Sequence, residues 1–123
     1  MSGAPVTLLM AVHCHQPVGN FEFVFEEAYA KSYDPFLRVI ERHPGVRLAL
    51  HYSGSLLDWL AKRRPDFLQR LRTLVHRGQV ELLAGGYSEP ILPLIPEADR
   101  QPRSRGCGRR CGRSAGRTRP ASG

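Results

Sequence analysis

His13 and His15 flank Cys14 in an H-x-H and are followed at once by Gln16 and Pro17. On an extended segment, residues i and i+2 point the same way, so both imidazoles can face one cavity. His51 ends a second apolar alternation, Glu81 lies within a third, and Glu89 follows in Gly85-Gly86-Tyr87-Ser88-Glu89-Pro90. All of these polar groups fall at or after the ends of expected strands. Two chemistries fit them. They can exchange hydrogen bonds with a polyhydroxylated substrate, or they can ligate a metal ion.

Each reactive side chain also has a structural reading. Glu81 is the hardest to treat as packing, because a carboxylate buried in an apolar strand costs several kcal/mol unless paired. His51 divides evenly between packing and the site. His43 and His76 read as surface histidines, Trp59 as a packing residue and Cys14 as a small buried one, since nothing nearby marks its thiolate. Cys107 and Cys111 form a C-x3-C with no second pair, too little for a zinc site.

The elements that must position these groups alternate between strand and helix patterns. Val6 to Val12 is a β-rich apolar run that delivers the H-x-H at its end. Glu22 to Ser32 has Val24, Phe25, Ala28 and Tyr29 on one helical face, and Asp34-Pro35 should cap and restart a helix carrying Phe36, Leu37 and Ile40. Val46, Leu48 and Leu50 alternate with Arg47 and Ala49 toward His51-Tyr52-Ser53, which predicts a second strand. A short helix should open at Gly54-Ser55, and another at Pro65 with Phe67, Leu68, Leu71, Leu74 and Val75 inward, stopped by Gly78. Gln79 to Ala84 predicts a third strand, Ile91 to Ile95 a packed loop, and Pro96 to Arg100 the first turn of a helix. Strands alternating with helices imply a parallel sheet with right-handed crossovers.

Composition divides the 123 residues at about position 100. Residues 1–100 hold 11 Lys plus Arg against 11 Asp plus Glu, so the whole net charge of +7 belongs to residues 101–123. That tail has seven Arg, five Gly and no acidic residue or large apolar side chain, and a disordered, Arg/Gly-rich segment is expected. Its seven arginines give salt-sensitive affinity for nucleic acid, but it has no aromatic stacking partners, which argues against that role. No apolar run approaches the ~20 residues of a membrane span. No signal peptide is expected, an odd cysteine count speaks against a disulfide framework, and a cytoplasmic location follows as the expectation.

Several stretches together resemble glycoside hydrolase family 57, with the 4-α-glucanotransferase and α-amylase types nearest. They are His13 to Phe21 with Val24 to Tyr29, then His51-Tyr52-Ser53-Gly54 with Trp59-Leu60. Arg77 to Leu82, Gly86 to Leu92, and Ile95-Pro96 with Asp99-Arg100 continue the likeness, which covers residues 6–100. The resemblance implies an α/β fold, the first three β/α units of a (β/α)7 barrel, that acts on α-glucans with retention of configuration. Carried over by position, His13, His15 and Glu81 would line the subsite that holds the sugar, with Gln16, His51 and Glu89 in supporting positions. No metal and no cofactor is expected.

The family's catalytic Glu and Asp lie in segments beyond residue 100, where this chain departs from the pattern. Retaining hydrolysis needs two carboxyls about 5–5.5 Å apart, and nothing past Asp99 supplies one. The expectation is therefore a truncated fragment, inactive alone, with a frameshift near codon 100 behind its out-of-frame tail. Three strands leave an open barrel edge through which such a fragment would aggregate. A metal-dependent barrel hydrolase using the H-x-H is the alternative enzyme reading.

Overall fold

The computed structural model describes residues 4, 6–89, 92–94 and 96. The expected helix at Pro96 to Arg100 and the Arg/Gly-rich tail lie outside the described residues, as do Cys107 and Cys111. The described chain is an α/β arrangement around three parallel strands in the order β1-β2-β3, where β1 is Ala11–Cys14, β2 is Leu48–Tyr52 and β3 is Val80–Leu82. Val12 pairs with Leu50 and Leu50 with Leu82, so the strands lie in register across the sheet. No helix of the described residues is long and apolar enough to cross a membrane.

Period-two alternation gives the sheet two unlike faces. Leu48, Leu50 and Tyr52 of β2 are buried with Cys14 and Val80. Between them Ala49 and His51 turn to the opposite face. Four helices supply the core against the first face. Phe25 comes from α1 (Glu22–Ala28), Leu37 and Ile40 from α2 (Asp34–Arg42), Leu56, Trp59 and Leu60 from α3 (Gly54–Arg63), and Phe67, Leu71 and Leu74 from α4 (Pro65–His76). Those of α3 and α4 fall at i, i+3 and i+4 or i, i+4 and i+7, the spacing of one helical face. Trp59 packs as expected, its ring stacked on Phe25 at 5.5 Å between centroids and its indole N–H donating to Glu22 Oε1.

Three expectations need correction. Val6 to Met10 is irregular and exposed, and β1 spans only Ala11–Cys14. Ala11 is set against Ala49, so the residues before Met10 run past the start of β2 at Leu48 and have no strand beside them among the described residues. Asp34 does not cap a new helix. The chain runs from α1 into α2 through a π turn, Tyr29–Tyr33, in which the Asp34 N–H reaches Tyr29 O five residues back. The widened turn keeps the backbone helical just ahead of Pro35, which has no N–H to donate. Ile91 to Ile95 is described only at Leu92–Leu94, a single 3-10 turn.

One polar tie joins two helices and a second joins a helix to the sheet. Arg70 of α4 forks onto both Glu41 oxygens at 2.8 Å and reaches Asp34 at 2.6 Å, joining α4 to both ends of α2. Burial pushes the Asp34 carboxyl up, but hydrogen bonds from Arg70 and Arg38 outweigh it and hold it below its ordinary value. Arg70 likewise lowers Glu41 against the opposing effect of burial. The buried Gln79 amide donates to Ile40 O at 2.7 Å and His43 O at 3.0 Å, fixing the end of α2 beside the start of β3.

Candidate functional site

The sheet face away from the helices carries the H-x-H. His13 and His51 are register partners on β1 and β2, so their rings project side by side, 4.9 Å between centroids and 11° from parallel. His13 Nδ1 and His51 Nδ1 stand 2.8 Å apart, one donating and the other accepting. His15, two residues beyond His13, brings its ring to 5.9 Å from the His13 ring at an interplanar angle of 19°. The i, i+2 reading of the two imidazoles holds.

Glu89 closes the group from the loop after β3. Its Oε2 meets His15 Nδ1 at 2.6 Å, and its Oε1 lies 3.4 Å from His13 Nε2 and 3.3 Å from His51 Nδ1. That Oε1 is buried without hydrogen-bond geometry to any group among the described residues. The loop that presents it is anchored on the start of α3. Gly54 N–H donates to Tyr87 O at 3.1 Å, and Tyr87 Oη donates to Asp58 Oδ2 at 2.7 Å. The Tyr87 ring rests so close on Gly54 that a Cβ there would overlap it. Glu89 itself adopts φ 50°, the left-handed region, and this turns its side chain back toward the strands.

Gln16 sits behind the histidines as a knot of hydrogen bonds. Its amide donates to Tyr33 Oη at 3.1 Å and accepts from Asn20 at 2.8 Å, and its backbone N–H donates to Ser53 Oγ at 3.2 Å. Tyr33 Oη in turn donates to His15 O, and Ser55 Oγ donates to Gln16 O. The chain leaving β1 is thereby tied to the chain leaving β2. The residue pattern gives Tyr33, Ser53, Ser55 and Tyr87 no role at the site. Ser53 and Tyr87 stand within the stretches that carry the family likeness, and Ser55 at an expected helix start.

Glu81 departs from expectation. It is exposed rather than buried, because alternation sets it opposite Val80 and Leu82 on the same face as its register partner Ala49. That row lies one residue pair before His51, about 7 Å along the strand. Glu81 makes no hydrogen bond or ion pair with another described residue. It lines a separate open groove of about 720 Å³ with Leu9, Ala49 and Leu83. The structure thus brings His13, His15, His51 and Glu89 together and leaves Glu81 on the same face but in a lower row. Cys14 is buried, and burial pushes its thiol up to about 11, with Tyr52 pulling it partly back. His43 and His76 are exposed.

Imidazoles and a carboxylate are thus gathered at the C-terminal ends of parallel strands, the end at which α/β barrels carry their chemistry. The family model of glycosyl hydrolase family 57 matches residues 9–104, and the chain belongs to that family. It is 48% identical over 98 residues to an α-amylase of Pyrococcus furiosus, covering 80% of this chain and 15% of that protein. A 4-α-glucanotransferase of Thermococcus litoralis is 45% identical over 95 residues, covering 77% of this chain and 14% of the relative. The crystal structure of 4-α-glucanotransferase from Thermococcus litoralis superposes with a TM-score of 0.79 at 42% identity, over 82% of this chain and 16% of that one. The chain therefore spans about 15% of the length of the relatives it matches.

Proposed function

We propose that this chain is the N-terminal part of an α-glucan-processing enzyme, a retaining hydrolase or 4-α-glucanotransferase, that supplies sugar-holding groups and not the reactive carboxyls. One observation carries the reading: His13, His15, His51 and Glu89 converge at the strand ends of a chain 48% identical to an α-amylase. Neutral imidazole offers one donor and one acceptor, and a carboxylate offers acceptors alone. Stacked rings with polar atoms about 3 Å apart suit the neighbouring hydroxyls of a pyranose, which alternate between donating and accepting. Gln16 holds the H-x-H in place, and Glu81 would meet the part of a glucan that reaches deeper along the same face.

In this reading β1, β2 and β3 are the first three staves of a (β/α)7 barrel, and later staves close over the groove that Glu81 lines. Retention needs two carboxyls about 5–5.5 Å apart across the bond. Residues 101–123 contain no Asp or Glu, and in this reading Glu81 and Glu89 hold sugar rather than react, so the 123-residue chain by itself is inactive. It also exposes Leu8, Leu9 and Leu83, at 83%, 90% and 40%, and self-associates through them.

The test pairs binding with turnover on the purified chain. Titration calorimetry with maltotriose should show saturable binding, weakened about tenfold, or ~1.4 kcal/mol, by His13→Ala or Glu89→Gln. No release of glucose or transfer products from maltooligosaccharides is expected. Turnover that His13→Ala abolishes would overturn the inactivity, and maltotriose binding indifferent to both variants would overturn the site.

A further inference from the structure

The contacts of Glu89 leave something unspent. Its Oε1 is buried with no hydrogen-bond partner among the described residues, and it lies within 3.4 Å of two imidazole nitrogens. One ligand atom from each of His13, His15 and Glu89 falls within 4.8 Å of the others. A tetrahedral zinc ion with bonds of about 2.0–2.1 Å needs ligand atoms roughly 3.3 Å apart. His13 Nε2 to Glu89 Oε1 is already 3.4 Å, and small rotations of the half-exposed His13 and His15 rings bring the third ligand in.

The surroundings complete the arrangement. His51 Nδ1 stands 2.8 Å from His13 Nδ1, the ring nitrogen that the metal would leave free. With His13 Nε2 on a metal, its Nδ1–H donates to His51, which fixes the tautomer and the ring plane. His51 is itself held against Gly85, where a Cβ would overlap its Nε2. Two imidazoles and one carboxylate leave a coordination position open toward solvent, since the His13 and His15 side chains are 55% and 42% exposed.

We propose that His13, His15 and Glu89 bind a divalent transition-metal ion of the zinc class, with His51 orienting His13 as a positioning residue. Two borderline imidazole donors select such an ion over magnesium or calcium, which favour all-oxygen shells. The ion fills the space that the proposed function gives to sugar hydroxyls. Metal binding itself does not depend on that function, and only the competition rests on it.

The experiment titrates Zn2+ into the full chain carrying Cys107→Ser and Cys111→Ser, which removes the rival thiolates, and follows Co2+ absorption in parallel. One ion per chain is expected, with an intense low-coordinate Co2+ spectrum. His15→Ala and Glu89→Gln should each weaken binding more than tenfold, and His51→Ala about tenfold, the range for loss of an outer partner. His43→Ala and His76→Ala should leave binding unchanged, and far-UV circular dichroism reports that each variant is folded. Affinity unaltered by His15→Ala and Glu89→Gln in folded protein overturns the site, as does the absence of saturable binding. Added maltotriose should raise the apparent Kd for Zn2+. Zinc binding that persists without such competition leaves the metal site standing and removes the glucan reading.

Discussion

The two faces of the three-stranded sheet follow opposite rules. Behind it, Leu50, Leu56, Leu60 and Phe67 are wholly buried and the helices are tied by Arg70 and Gln79. In front of it, the same strands turn Ala49, His51, His13 and Glu81 away from that core. One face excludes water and the other gathers polar side chains at the strand ends. Stability and chemistry are thus separated by a single backbone thickness, and substitutions should sort by the face they touch.

The largest effect belongs to the back face. Phe67→Ala should lower the unfolding free energy by about 3–5 kcal/mol, measured by urea denaturation, whereas Leu83→Ala on the front face should stay within about 0.5 kcal/mol. Equal losses at the two positions would break the comparison. Gly54→Ala probes the junction between the faces. Its Cβ must push the Tyr87 ring aside, at about 1–3 kcal/mol, and the displaced loop should take Glu89 away from His15 and weaken maltotriose binding.

A smaller effect concerns acid. The folded values of Asp34 and Glu41 are lowered, so their contribution is full above the ordinary 3.8 and 4.5 and disappears as pH falls through the lowered values. Stability measured by urea midpoints should fall below about pH 4, and Arg70→Met should flatten that slope while leaving the front face intact. The slightest effect is chemical. Cys14, with its thiol raised to about 11, should react slowly with a thiol reagent at pH 8 in native protein and rapidly in urea. Fast native labelling would mean that the back face opens near β1.

Much of this was legible from residue order alone. The faces of α3 and α4, the alternation of β2 and the shared direction of His13 and His15 follow from periods of 3.6 and 2.0, which are properties of local backbone. The stretches from His13 to Leu92 also carry the family likeness, and the family model matches residues 9–104. Where local rules compete, the order of residues falls short. Asp34-Pro35 has the chemistry of a helix start, yet packing of Tyr33 and Leu37 into one core keeps the chain helical through a π turn.

The choice between the two carboxylates shows the division most clearly. Alternation determines that Glu81 opposes Val80 and Leu82, but not how far along the sheet it stands from the histidines. Only the register of Ala49 with Glu81 decided that, placing it a row below His51. Glu89 reaches the imidazoles through a left-handed residue, a tyrosine seated on a glycine of another helix and a backbone bond to that helix. Residue types and spacing determined which side chains can do polar chemistry. Contacts between segments distant in sequence decided which of them meet, because period and propensity act within a segment and registration acts between segments.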